Sequence, residues 1–176
     1  SCAVIGDAQV YTNEEVSHTR DSFVDDLMDR DAKVDCLLPV GDVVGDALDL
    51  IPRLAELMGV VGAPQWWVHG NHDFDFDADY DEDSADSWRR LWGPEYYSCE
   101  MGKTTFIVLD NVVYPCSAED NIEDTRRFCV TDSRKRYNGR ITDEQMAFVE
   151  NLLAVTPEDR LIVFAHHVPF VSFVAL

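Results

Sequence analysis

The chain has 176 residues, enough for one domain with a sizeable core, and its 46% hydrophobic content excludes a disordered polymer. No apolar run approaches the roughly 18 residues that a membrane-spanning helix requires, so no membrane span is expected. With 34 acidic against 14 basic residues and a net charge of −20, the surface is unsuited to a nucleic-acid backbone, which wants a basic face. The same charge does not exclude a phosphorylated substrate, because exposed charges are screened beyond about 8 Å at physiological salt.

Residues 2–6 read as a short buried strand. The chain enters it almost at once, without a visible signal peptide, and so reads as a mature or excised fragment. Residues 14–30 carry Val16, Phe23, Val24, Leu27 and Met28 among charges, an amphipathic helix with Asn13 as its expected N-cap. Residues 35–40 are a second buried strand, residues 46–58 a second helix with Asp46 near its start, and residues 65–68 a third strand. This β-α-β-α-β order implies a parallel sheet covered by helices. Between Asp73 and Asp86 lie eight acidic residues, read as a solvated loop because the spacing does not match a calcium-binding loop. Trp88, Leu91 and Trp92 suggest a short helix that Gly93-Pro94 ends. Residues 96–99 and 104–109 form two strands around a turn at Gly102, and residues 111–140 are irregular. Thr142-Asp143-Glu144-Gln145 has the form of a capping box and opens a last helix. A final strand, 160–165, delivers His166 and His167.

Five cysteines occur, Cys2, Cys36, Cys99, Cys116 and Cys129, without a CxxC pair, so a structural zinc site is not expected. Cys2 and Cys36 are expected to pack as small hydrophobes. Cys116 and Cys129 flank one loop and could pair in an exported chain.

Four apolar runs end in residues that ligate metals. Asp7, Asp42, Asn71 and His167 all fall at the carboxyl ends of predicted strands, where open α/β sheets bind ligands. Two carboxylates, an amide oxygen and an imidazole suit Mn, Fe or Zn and not a thiolate site. A carboxylate can bridge two cations, and such a pair can clamp a displacement at phosphorus. Gly6, Gly41 and Gly70 each precede one of these residues and are expected to let the backbone turn sharply. Asp46 is read as a helix cap or a group behind the ligands, His69 as a satisfied core histidine, and Trp66 and Trp67 as core. His166 and His167 compete for one position, and the spacing His-x-Pro favours His167. Six basic residues, Arg126, Arg127, Arg134, Lys135, Arg136 and Arg140, contact an anionic substrate or balance the acidic surface; the second is preferred.

The series Gly6-Asp7-Ala8-Gln9, Gly41-Asp42-Val43-Val44-Gly45-Asp46, Gly70-Asn71-His72-Asp73 and His167-Val168-Pro169 resembles the calcineurin-like metallophosphoesterases, in order and spacing over nearly the whole chain. Residues 93–98, 106–110 and 137–141 are similar to a bacterial branch whose catalytic domain is often flanked by small β domains in exported proteins. The resemblance implies an α/β/β/α sandwich, with residues 1–176 as a single partial catalytic domain incomplete at its C-terminus. It also implies two divalent cations (Mn, Fe, Zn or Mg), a small phosphomonoester or phosphodiester as substrate, attack by a metal-bound hydroxide, and a location outside the cytoplasm. Asp7 and Gln9 resemble ligands of the first metal, Asp42 the bridging carboxylate, and Asn71 and His167 ligands of the second. His72 resembles the catalytic histidine beside the leaving group, and Asp46, Asp73 and His166 stand behind or replace a ligand. Two blocks depart from the family pattern. Asp7-Ala8-Gln9 stands where Asp-x-His is usual, and no Gly-His-x-His block follows His167. The alternative is a truncated or degenerate fold that acts as a non-catalytic metal-binding or interaction module.

Overall fold

β2 (Cys36–Pro39) is buried at every position, as a continuous apolar run predicts for a strand covered on both faces. It pairs in parallel with β1 (Cys2–Ile5), from Cys2↔Cys36 to Ile5↔Pro39. On its other side lies the expected third strand, reduced to two parallel bridges, Leu37↔Gln65 and Val40↔Val68. Pro39 supplies the reason. Leu37 N donates to Pro64 O, Trp66 N to Leu37 O and Val68 N to Pro39 O, each at 2.9 Å. Pro39 has no N–H to continue the ladder, so the pairing breaks in two. The computed structural model describes residues 1–29, 33–75, 77–78, 80–113 and 138–167; the expected Cys116–Cys129 pair and the basic residues from Arg126 to Arg136 lie outside them.

A second sheet has the order β3-β4-β7. β3 (Tyr97–Met101) and β4 (Thr104–Val108) form the expected hairpin, turning at Gly102 with φ 56°. β7 (Leu161–Ala165) runs parallel to β4. In the irregular stretch, β5 (Val112–Val113) pairs with β6 (Asn138–Gly139). Leu38 and Val68 from the first sheet pack on Val108 and Ala165 from the second, with Val40, Trp66, Tyr97 and Phe106 around them, and Tyr97 Oη donates to Trp67 O across the same gap.

Helices cover the outer faces. α1 (Asn13–Thr19), a π-helical turn (Arg20–Val24) and α2 (Asp25–Asp29) run continuously, and α3 (Ile51–Gly59) follows a 3₁₀ turn at Leu48–Leu50. Their apolar faces, Val16, Val24, Ile51, Leu54 and Met58, close on Leu37 and Trp67. α6 (Asp143–Val155) puts Val149, Phe148 and Leu152 against Ile107 and Ile162 on the other side. The layers are therefore helix, sheet, sheet, helix, as the family resemblance implies.

Local chemistry departs from expectation in several places. The cap of α1 is Thr12 and not Asn13: Thr12 Oγ1 accepts from Glu15 N, and Glu15 Oε2 accepts from Thr12 N. This reciprocal pair satisfies two orphan amides where Asn13 would satisfy one. Ser17, Thr19 and Ser22 each donate a hydroxyl to the carbonyl four residues back, which competes with helical bonding and accompanies the π turn. Cys2 and Cys36 do not pack as separate hydrophobes. As register partners on neighbouring strands, with Cα atoms 4.6 Å apart, they form a disulfide. The acidic stretch is not simply a solvated loop, since Phe74 and Ala85 from it bury with Val112. It holds α4 (Asp81–Ser84), and Asp75 caps α5 (Asp86–Trp92) by accepting from Ser87 N at 2.7 Å.

The box at Thr142 is half made. Thr142 Oγ1 accepts from Gln145 N at 3.3 Å, but the Gln145 side chain turns inward. Its Oε1 accepts from Asp110 N at 2.9 Å and its Nε2 donates to Asp110 O at 2.7 Å. β4 has passed its last strand partner there, so the buried peptide takes the amide that a helix cap would have used. Gln145→Ala strands both Asp110 groups and should lower stability by about 1–3 kcal/mol; the denaturant midpoint measures it, and an unchanged midpoint would refute this role.

Candidate active site

The first three strands and β7 end on the same side of the sandwich. Asp7 N donates to Gly41 O at 3.0 Å and Gln9 N to Asp42 O at 2.8 Å, which lays the loop after β1 along the loop after β2. Left-handed backbone falls on Asp7 (φ 58°), Gln9 (φ 41°), Asp42 (φ 47°) and Asp46 (φ 62°), conformations that non-glycine residues adopt at a cost of about 1–3 kcal/mol each. The expectation that glycines provide the turns holds only for Gly41, at φ 87°. Gly70 serves a different purpose: a Cβ there would lie 2.1 Å from Asp42 Oδ1, so its missing side chain is what lets the loop after the third strand close on Asp42.

Asp42 is buried at the centre. Its Oδ1 accepts from His72 N at 3.0 Å, its Oδ2 accepts from Gln9 Nε2 at 3.1 Å, and His167 Nε2 lies 3.3 Å from Oδ2. Burial by itself would raise the Asp42 carboxyl. The His167 imidazole, the His72 amide and the Gln9 amide outweigh it and hold the group below the usual carboxylate range. Burial likewise opposes the charged form of His167, but Asp42 and the Val40 carbonyl, 3.1 Å from Nδ1, raise it above its ordinary value.

Asp73, fully buried, accepts from Val43 N and Val44 N at 3.0 Å through Oδ1 and from Gly70 N at 2.7 Å through Oδ2. Burial pushes its carboxyl up to about 7, while three N–H donors favour the ionised form. Asp46 is not a helix cap. Its Oδ1 lies 2.8 Å from His72 Nδ1 and its amide donates to His72 O at 3.2 Å, so it orients the ring from behind. Of the two histidines, His167 faces Asp42, while His166 Nδ1 lies 3.3 Å from Asn111 Nδ2. Asn71 is buried in the turn and Asp7 is exposed at the rim.

The donor types fit a divalent cation, since carboxylate, amide oxygen and imidazole are hard to borderline ligands. Among the described residues, no three His, Cys, Asp or Glu side chains group as a metal-binding set. Two of the expected ligands, Gln9 and Asn71, are amides, so a centre here would rest on mixed donors. Gln9 presents Nε2 to Asp42, with Oε1 towards Tyr11 Oη at 3.5 Å; a half-turn of the amide would present the carbonyl oxygen expected of a ligand.

The family model for calcineurin-like phosphoesterases matches residues 2–174. The chain belongs to this family. In structure, this phosphoesterase chain is similar to a dimetal phosphatase from Danio rerio, with a TM-score of 0.57 and 16% sequence identity, over 96% of this chain and 69% of that one. None of the curated proteins matches it in sequence.

Behind the site lies a pair that sequence reasoning missed. His69 is buried against Phe74 and Trp88. Its Nε2 is 3.4 Å from Asp110 Oδ1, and among the described residues neither ring nitrogen makes a well-aligned hydrogen bond. Burial pushes the imidazole down to about 3 and the Asp110 carboxyl up to about 8. Burial thus favours the neutral form of both groups. No signal in the sequence joins residues 41 positions apart in this way.

Two predictions follow the geometry. Gly70→Ala drives a Cβ into Asp42 and should cost more than about 2 kcal/mol and displace His72 N; thermal unfolding and the His72 amide resonance report it, and a wild-type-like resonance would refute the close-approach argument. For Asp110, the folded state holds a proton that the unfolded chain has lost, so stability falls as pH rises towards 8. His69 works in the opposite direction, losing stability as pH falls below 6.5, so the two offset at lower pH. Between pH 6.5 and 8 the loss should be about 1–2 kcal/mol. Asp110→Asn should flatten that slope, and an unchanged slope would exclude Asp110 as its source.

Proposed function

We propose that this chain is a metal-dependent phosphoesterase that hydrolyses a small phosphomonoester or phosphodiester at a two-cation centre. The reading rests above all on the buried Asp42 carboxylate, which meets groups from all three other strand-end loops at once: Gln9, the His72 amide and His167. Asp7 and Gln9 would hold one cation, Asn71 and His167 the other, and Asp42 would bridge them. Such a cation pair would supply Lewis-acid polarisation of the phosphoryl group and an activated water.

The chain's own residues supply orientation and proton transfer. With Nδ1 held by Asp46 at 2.8 Å, His72 keeps its ring fixed and leaves Nε2 to face substrate. A proton at that atom can be given to the leaving oxygen, a contribution typically of about 10²–10⁴-fold. Asp73 keeps the backbone under Asn71 and His72 in place and touches no substrate. The Cys2–Cys36 disulfide supports a location outside the reducing cytoplasm.

The expected outcome is cation-dependent turnover of a generic aryl phosphate or phosphodiester with Mn²⁺. His72→Asn should lower kcat by about 10²–10⁴-fold while leaving the number of bound metals unchanged. Asp42→Asn should lower both metal content and kcat. Full activity in the Asp42 variant would sink the site assignment. Fewer than one bound transition metal per wild-type chain, together with no turnover, would leave the alternative of a non-catalytic interaction module.

A further inference from the structure

The Cys2–Cys36 disulfide ties the starts of two strands whose far ends carry Asp7 and Asp42. β1 lies at the edge of its sheet. Among the described residues it pairs only with β2, and Val4 on it is 56% exposed. At the site end, the chain beyond β1 is held by Asp7 N to Gly41 O, Gln9 N to Asp42 O and Val10 N to Val43 O, by Gln9 Nε2 on Asp42 and by the buried Val10. At the opposite end, Asp35 N donates to Ser1 O at 2.7 Å, and the disulfide is the covalent tie there. Cys36 is 1% exposed, whereas Cys2 is partly exposed. The third cysteine described, Cys99, is buried, and its thiol is pushed up by that burial, so it is a poor competitor for exchange.

We propose that Cys2–Cys36 is a redox-sensitive clamp that controls how firmly the Asp7–Gln9 arm is held against Asp42. The chemistry is thiol–disulfide exchange with a dithiol. A thiolate of the dithiol attacks Sγ of Cys2, the less buried of the two cysteines. The Sγ–Sγ bond breaks, and Cys36 leaves as a thiolate and takes up a proton. The second thiol of the reagent then closes on the mixed disulfide. Cys2 is released as a thiol, and the reagent leaves as its cyclic disulfide, two electrons poorer. The reverse exchange with an external disulfide closes the clamp. Opening it leaves β1 on four residue pairs and loosens the arm that carries Asp7 and Gln9, while the Gly70–Asp73 turn, tied to β2 through Asp73, is unaffected.

The test reads the apo chain, so it stands apart from any failure of the catalytic reading. Non-reducing peptide mapping should recover Cys2 and Cys36 in one cross-linked peptide. Amide hydrogen exchange should then be compared before and after native reduction with dithiothreitol, and in Cys2→Ser. The Asp7 and Gln9 amides should exchange about tenfold faster or more, with the amides of Val43, Val44 and Gly70 unchanged. Cys2→Val, which keeps apolar volume at that position, should behave as the reduced chain does, which separates loss of the clamp from loss of packing. Absence of the cross-linked peptide, unchanged exchange at Asp7 and Gln9, or an equal rise at Val43, Val44 and Gly70 would each overturn the proposal; the last would make the disulfide a general staple and not a clamp on this arm.

Discussion

One carboxylate holds two loops in a shape that neither would keep alone. Asp73 accepts from Val43, Val44 and Gly70, so a side chain in the third loop satisfies the amides of the second. Those amides point inward because Asp42 is left-handed, at φ 47°. Turning the backbone there aims the Asp42 side chain at Gln9 and His167, but leaves the following N–H groups without a ladder partner. Asp73 is the group that satisfies them. The strain at Asp42 and the burial of Asp73 are therefore two sides of one arrangement, in which a costly backbone conformation is stabilised by three hydrogen bonds to a buried carboxyl group.

The same constraint explains why glycine is needed at Gly70. Its φ of −113° is open to any residue, so conformational freedom is not its contribution. The distance from its position to Asp42 Oδ1 leaves no room for a Cβ. A site assembled from loops of two sheets requires such close approach, because His167 arrives on β7 from the second sheet while Asp42 leaves β2 in the first. Its ring spans the gap, with Nδ1 on Val40 O and Nε2 towards Asp42.

Asp7, Asp42, Asn71, His72 and His167 were legible in the sequence because each sits where an apolar run stops, and strand ends of open sheets converge on one side. A parallel sheet covered by helices was legible for a similar reason, since uninterrupted runs mark buried strands and apolar residues three and four apart mark the covering helices; the two-sheet α/β/β/α layering came from the family resemblance. What could not be read was partnership between distant elements. Gln145 carries the signature of a helix cap, yet its amide serves Asp110. Cys2 and Cys36 look like small core residues until the register of β1 on β2 sets them side by side. His69 and Asp110 acquire their mutual environment only when the second sheet folds over the first.

The sequence by itself determined which residues could do chemistry and at which strand ends they lie, because hydrophobic period and chain reversal are local properties. The tertiary structure alone decided which of them meet. His167 and not His166 faces Asp42, Asp46 backs His72 and caps no helix, and Gln9 offers its amide nitrogen to the central carboxylate. The physical reason is that strand register, left-handed φ values and a missing Cβ act over a few ångströms between segments tens of residues apart, and no local pattern in the chain encodes those distances.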